Sequence, residues 1–202
     1  MPADSAQRAT PAKCQSCHGP LTSPVFCDSC RSLFPADRLS HFELLGLPAR
    51  FDLDPEALRQ RYLQLSRWVH PDHHGRRTES AEVSLRLSAQ LNEAYRVLGD
   101  PVLRAEYLLE LAGGASAQTD RGVLPDVLST ALALRDEASE ARAAGDQATL
   151  ERCRAAARGC YETTLARITE LARRLPGEPE TRQLLRATLN SMKYYQKLLA
   201  EL

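Results

Sequence analysis

Apolar residues recur at helical spacing along most of this chain, and the pattern predicts an all-α protein. Between residues 54 and 99, two runs place an apolar side chain every three or four positions. The first run opens at Asp54-Pro55, an N-cap followed by proline at the first helical position, and ends at Pro71. The two runs therefore predict a hairpin of antiparallel helices joined by a polar loop. Their apolar positions are Leu58, Tyr62, Leu65 and Val69, then Val83, Leu87, Leu91, Ala94, Tyr95 and Leu98.

Two shorter apolar segments flank the hairpin. Residues 41–47 carry more apolar side chains than so short a helix can leave in water, so this helix is expected to pack against the hairpin. Another helix is predicted from Asp100-Pro101 to Leu111, because Gly113-Gly114 then stops it. These elements form one predicted domain over residues 39–114.

The C-terminal half shows three long amphipathic stretches separated by short breaks. They cover about residues 125–144, 145–175 and 180–202, and such a pattern predicts an antiparallel three-helix bundle within a domain of residues 115–202. Leu128, Leu132 and Asp136 share one helix face in this bundle. They form either an exposed apolar patch with an acidic rim or part of the bundle core, and periodicity does not distinguish the two.

Four N-terminal cysteines form two CxxC knuckles within residues 1–38. Four thiolates suit a closed tetrahedral zinc site, which is structural because no coordination position stays open. Iron of the rubredoxin kind is an alternative, since thiolates are soft ligands. Disulfide pairs are disfavoured, because residues 1–13 lack the apolar core of a secretory signal. The predicted metal ligands are Cys14, Cys17, Cys27 and Cys30.

The balance of charges does not indicate binding to nucleic acid or to a membrane surface. The chain has 202 residues with 26 basic and 26 acidic side chains, and no apolar run approaches the roughly 20 residues of a membrane span. Around the knuckles, acids offset the few basic residues, which argues against a nucleic-acid-binding zinc ribbon. We expect a monomer, with a dimer left open, in the bacterial cytoplasm or, for a eukaryotic source, the mitochondrial matrix.

The order of the short helix, the hairpin with its His-Pro-Asp loop and the following helix resembles the J domain of DnaJ-type co-chaperones. Three phrases look like HscB, the co-chaperone family of iron–sulfur cluster assembly. Some members of that family also carry a tetracysteine segment before the J domain. The phrases are Phe42-x-x-x-Gly46-Leu47-Pro48-Ala49-Arg50, Asn92-x-Ala94-Tyr95 and Pro101-x-x-Arg104-Ala105-x-Tyr107-Leu108-Leu109.

The resemblance implies a co-chaperone that is not an enzyme. It would stimulate ATP hydrolysis by a DnaK/HscA-class chaperone, with the loop touching that partner and basic residues of the preceding helix orienting it. The bundle would carry the client, an IscU-type iron–sulfur scaffold protein. The implied chaperone-binding residues are His70, Pro71, Asp72, Arg61 and Arg67, and the implied client-binding residues are Leu128, Leu132, Asp136 and Tyr194.

Two departures from the family pattern weaken the client assignment. Ser129 and Ala133 stand where a larger apolar group and an acid are common in the family. A J-domain co-chaperone with a different client is therefore the main alternative function. A zinc-dependent redox or nucleic-acid-binding module is a further alternative, although it would need basic or thiolate-stabilising surroundings for the cysteines.

Overall fold

Amphipathic runs and their caps produce seven helices in the computed structural model, which describes residues 13–21, 23–70 and 78–202, with the backbone alone for residues 78–80. Two isolated β-bridges near the N-terminus are the only strand-like pairings among these residues. The all-α prediction is confirmed. The helices are α1 (His41–Leu45), α2 (Pro55–Val69), α3 (Thr78–Gly99), α4 (Pro101–Leu111), α5 (Val127–Ala144), α6 (Gln147–Arg173) and α7 (Pro179–Glu201).

The chain divides into two compact units, Met1–Leu103 and Arg104–Leu202. In the first unit, α2 packs along α3 and the short helix α1 contacts both. A capping box starts α1, because the Ser40 side chain accepts from the Glu43 N–H and the Glu43 carboxylate accepts from the Ser40 N–H. Gly46 ends α1 in the left-handed conformation, with φ of 64°. The helix is therefore shorter than the predicted 41–47.

Helix α2 begins and ends as the sequence pattern predicts. The Asp54 side chain accepts from the Glu56 N–H at 3.0 Å, and Pro55 occupies the first helical position. His70 has left the helix and is extended, as expected of a residue that precedes proline. Between α2 and α3, Tyr62 stacks on Tyr95 and its hydroxyl donates to Asn92 Oδ1 at 2.8 Å. The two helices of the hairpin are thus joined by a stacked aromatic pair and by the hydrogen bond of one tyrosine hydroxyl.

The second unit is built on the three-helix bundle of α5, α6 and α7, in which every pair of helices is in contact. Gly145 and Asp146 make the turn from α5 to α6, with Asp146 capping the Thr149 N–H at 3.0 Å. Small side chains let α5 approach α6 closely around a buried cluster of Ala138, Ala141, Leu150 and Cys153. Cys153, which is 1% exposed, thus fills space in the core of the bundle.

A buried ion pair joins the middle of α4 to α7 within this unit. Arg186 is 1% exposed, and its guanidinium binds both carboxylate oxygens of Glu106. A bidentate pair with one partner fully buried tolerates little displacement, because separation would leave a desolvated charge.

No helix among the described residues combines the length and apolar character required to cross a bilayer.

Candidate metal centre and co-chaperone surfaces

The two cysteine knuckles have the same backbone construction. Cys14 N–H donates to the Gly19 carbonyl at 2.8 Å, and Cys27 N–H donates to the Ser32 carbonyl at 3.0 Å. The residue after each second cysteine is left-handed, with φ of 58° at His18 and 62° at Arg31. A left-handed residue tightens the turn so that both cysteines of a knuckle face the same point. Each knuckle is therefore a preformed two-thiol clip.

The two clips bring all four sulfur atoms within 4.8 Å of one another. Cys14 Sγ lies 3.5 Å from Cys30 Sγ, and Cys17 Sγ lies 3.7 Å from Cys27 Sγ. A regular tetrahedron with zinc–sulfur bonds of ~2.3 Å requires sulfur separations of about 3.8 Å. The donor set therefore fits one tetrahedral metal ion.

Hydrogen bonds around the sulfurs favour thiolates at two positions. The hydroxyl and N–H of Ser32 lower the pKa of the Cys30 thiol to about 6. Burial opposes ionisation of Cys14, but the N–H groups of Cys17 and Ser16 point at its sulfur and its pKa is lowered. At Cys17 the Gly19 N–H lowers the pKa, but hydrogen bonds with the Cys30, Cys14 and Cys27 sulfurs outweigh it and raise the pKa to about 12. Thiolates are the form that binds metal, so the contacts at Cys14 and Cys30 suit a metal centre, whereas Cys17 would lose its proton only on binding the ion.

This tetracysteine segment, residues 13–38, is attached to the hairpin by two contacts that the sequence pattern did not predict. Phe26 stacks on Trp68 of α2 with ring centroids 4.9 Å apart. Asp37 accepts from Gln90 at 3.3 Å and lies 3.6 Å from Arg86, both on α3. Trp68 and His70 are two residues apart, so the segment is attached next to the end of α2 where the polar loop begins.

The predicted chaperone-binding residues lie in the polar loop and on α2, and they differ in exposure and contacts. His70 is exposed at the end of α2, whereas Pro71 and Asp72 lie outside the described residues. Arg67 is exposed and forms no ion pair with any residue that the structure describes. Arg61 is half-buried and donates to the Leu45 carbonyl at 3.2 Å and to Gln64 at 3.1 Å. Arg61 therefore helps to hold α1 on α2, while Arg67 is available to a partner.

The predicted client-binding residues all lie on the surface of the bundle. Leu128 is 42% exposed, Leu132 is 55% exposed and Tyr194 is 42% exposed, which excludes the alternative that the two leucines are core. Asp136, on the same face of α5 as the leucines, is also exposed. Large exposed apolar side chains at successive turns of one helix are a feature of binding surfaces.

Two contacts show which parts of α5 and α7 lie side by side in the bundle. The Leu124 N–H donates to Ser191 Oγ at 3.0 Å, and Arg135 Nε lies 3.3 Å from a carboxylate oxygen of Glu201. Because these contacts advance in the same direction along both helices, α5 and α7 run parallel. The leucines of α5 and Tyr194 of α7 therefore lie along the same stretch of the bundle.

Known proteins match both the sequence and the fold. The DnaJ domain family matches residues 40–107. The chain is 36% identical over 122 residues to the co-chaperone protein HscB homolog of Ralstonia nicotianae, a match that covers 59% of this chain and 69% of that protein. The chain belongs to the HscB co-chaperone family. An HscB homolog of Bordetella petrii is 40% identical over 104 residues, and this match spans 50% of the chain and 61% of that relative's length.

Solved HscB structures share the fold. The crystal structure of the human co-chaperone protein HscB superposes with a TM-score of 0.76 at 24% identity, over 94% of this chain and 95% of that one. The chaperone HscB from Vibrio cholerae gives a TM-score of 0.66 at 28% identity, over 81% of this chain and 94% of that one. The all-α architecture with a J domain and a helical bundle is therefore that of HscB proteins.

Within this HscB fold, three basic residues near Tyr194 were not predicted as site residues. Arg121 precedes α5, and Lys193 and Lys197 are one helical turn apart on α7. All three line a groove beside the Tyr194 ring. The spacing of the two lysines was a visible signal, but the position of Arg121 depends on the path of the linker, which no periodicity encodes.

Proposed function

We propose that this HscB-family chain stimulates ATP hydrolysis by a DnaK/HscA-class chaperone and delivers an IscU-type iron–sulfur scaffold protein to it. The chain would act as a co-chaperone and not as an enzyme, in the bacterial cytoplasm and as a monomer. The observation that carries the proposal is the exposed apolar face of the bundle in a chain with a matched J domain. A J domain alone would account for a chaperone partner but not for a second binding surface on the bundle.

At the chaperone end, the J domain family implies an Hsp70-type partner. We place His70, Pro71 and Asp72 in contact with its ATPase domain, where Asp72 would form a charge-assisted hydrogen bond with a basic group. Arg67 would steer the encounter with an acidic chaperone surface, because it is exposed and has no competing ion pair among the described residues. Arg61 would contribute indirectly, by keeping α1 and α2 together.

At the client end, Leu128, Leu132 and Tyr194 supply the apolar contact and Asp136 an acidic rim. Buried apolar anchors carry most of the affinity of such interfaces, and rim charges set orientation and specificity. Because these residues lie on the long helices α5 and α7, little of the chain has to become ordered on binding.

At the N-terminus, we propose that the four cysteines hold a structural zinc ion. A closed set of four sulfur ligands has no place for substrate, and the contribution of the metal would be to fold a segment that has little core of its own. Through Phe26 and Asp37, the folded segment would support the hairpin.

Calorimetry with the full chain and the iron–sulfur scaffold of the same source tests the client assignment. We expect binding with a Kd of about 1 μM, as is typical of a transient delivery complex. A folded chain that stimulates its chaperone but does not bind the scaffold would show that the bundle serves a different client. Binding without stimulation would exclude the co-chaperone mechanism.

A further inference from the structure

A groove of about 320 Å³ opens on the bundle at Tyr194, one of the predicted client-binding residues. One wall is the linker that precedes α5, with Arg121 and Val123, and the other is the exposed side of α7, with Lys193, Tyr194 and Lys197. The groove therefore combines an aromatic ring and an aliphatic side chain with three cationic groups.

The linker wall is held in place by hydrogen bonds. Asn190 is 6% exposed, and its side-chain nitrogen donates to the carbonyls of Asp120 at 2.9 Å and Gly122 at 2.8 Å. These two carbonyls flank Arg121, and the Leu124 N–H is fixed to Ser191 on the same helix. Because the wall is fixed by buried contacts, a ligand would not have to order it on binding.

The cations of the groove are largely uncompensated. Arg121 and Lys193 form no ion pair with any residue in the described part of the chain, and Lys197 has only a 3.8 Å contact with Glu201. Glu201 is itself shared with Arg135 at 3.3 Å. Among the described residues that line the groove there is no carboxylate. Its charge therefore complements an anionic group.

We propose that the groove binds an acidic segment of the client, with client carboxylates at Arg121 and Lys193 and an apolar client side chain against Tyr194. This inference rests on the proposed function and adds the chemistry of the client's second contact. Asp136 lies farther along the same stretch of the bundle and has the opposite charge. The client surface would then be acidic at the groove end and basic at the Asp136 end, which fixes the direction in which it binds.

Charge reversal in the groove tests the proposal. The full chain carrying Arg121→Glu and Lys193→Glu is compared with a control carrying Arg158→Glu and Arg167→Glu, two exposed arginines of α6 that do not line the groove. Both variants change the net charge equally. At about 0.1 M salt we expect the groove variant to bind the scaffold about tenfold more weakly than the control, with a smaller difference at about 1 M salt.

A milder pair keeps the test valid if charge reversal disturbs folding. Arg121→Gln with Lys193→Gln should weaken scaffold binding about threefold while thermal unfolding is unchanged. Equal affinity of groove and control variants overturns the groove proposal and leaves the proposed function intact. Failure of the unaltered chain to bind the scaffold overturns both. A change in the sedimentation of the protein alone, without a change in scaffold affinity, would assign the groove to a second copy and overturn the proposal.

Discussion

The tetracysteine segment and the three-helix bundle differ in how much apolar surface they bury. In the segment, buried apolar side chains are few, chiefly Val25 and Phe26, and four sulfurs converge on one point. In the bundle, every helix buries apolar side chains, among them Ile168, Leu185, Leu189 and Met192 with no exposed surface. We therefore expect the segment to depend on a bound ion, whereas the bundle is stabilised by the burial of its apolar side chains.

The two regions should respond differently to removal of the metal ion. The segment should lose its structure when the ion is removed, and this loss should reach only what the segment touches. The bundle should keep its fold under the same treatment and present an unchanged surface to the client. Perturbations directed at one region should therefore report on that region alone.

Metal removal should have the largest effect. A structural zinc contributes about 10–16 kcal/mol to the folding of a small domain, so chelation should unfold residues 13–38. Trp68 is the only tryptophan and stacks on Phe26, so its fluorescence should change on chelation and recover on addition of zinc. Far-ultraviolet circular dichroism should stay largely helical.

The control for metal removal is Phe26→Leu, which removes the stacking partner but keeps the four ligands. Its Trp68 emission should resemble that of the chelated protein before any chelator is added. Unchanged emission of the unaltered protein on chelation would show that the segment does not depend on metal.

Loss of the buried ion pair should be the largest effect within the bundle unit. Glu106→Ala leaves the Arg186 guanidinium buried without a carboxylate, and we expect the free energy of unfolding to fall by about 3 kcal/mol. Glu110→Ala, an exposed residue one turn farther along α4, should change it by less than about 0.5 kcal/mol. Equal denaturation midpoints for the two variants would mean that the pair does not hold α4.

Truncation of the apolar face should affect binding far more than folding. Leu128→Ala with Leu132→Ala should weaken scaffold binding about tenfold or more, because anchors at an interface centre carry most of its affinity. Thermal unfolding should shift little, since both side chains are exposed. Leu85→Ala is the matched control, an exposed leucine of α3 outside the bundle. Unaltered calorimetric affinity of the double variant would disprove the client-binding face.

The smallest effects distinguish Arg61 from Arg67, two of the three arginines of α2. Arg67→Ala should weaken the association with the chaperone severalfold and leave stability unchanged, because its side chain is exposed and unpaired among the described residues. Arg61→Ala should lower the free energy of unfolding by about 1 kcal/mol, since the Leu45 carbonyl loses its donor. Association kinetics and urea unfolding separate the two roles. The same loss of stability in both variants would contradict this assignment.

The parts of the molecule that were predictable from sequence are those determined by neighbouring residues. Helix starts at Asp54-Pro55 and Gly145-Asp146 follow from capping chemistry, and the metal ligands follow from the spacing within each knuckle. The exposure of Leu128 and Leu132 could not be predicted from the sequence. Helical periodicity shows that they share a face, but not whether that face packs in the bundle or meets solvent.

Contacts between distant parts of the chain were also beyond a sequence pattern. The stacking of Phe26 on Trp68, the pairing of Glu106 with Arg186 and the attachment of the Arg121 linker by Asn190 each join residues far apart in sequence. They depend on where whole elements pack, and the sequence carries no local signal for that. The resemblance to HscB was specific because its phrases span several helices at once.

Single-turnover ATP hydrolysis by the Hsp70-type chaperone of the same source tests the co-chaperone assignment most directly. The full chain should raise the hydrolysis rate, and Asp72→Asn, which replaces one carboxylate by a neutral amide of nearly the same size, should abolish this stimulation while circular dichroism stays the same. Equal stimulation by the unaltered chain and the Asp72→Asn variant would contradict the account.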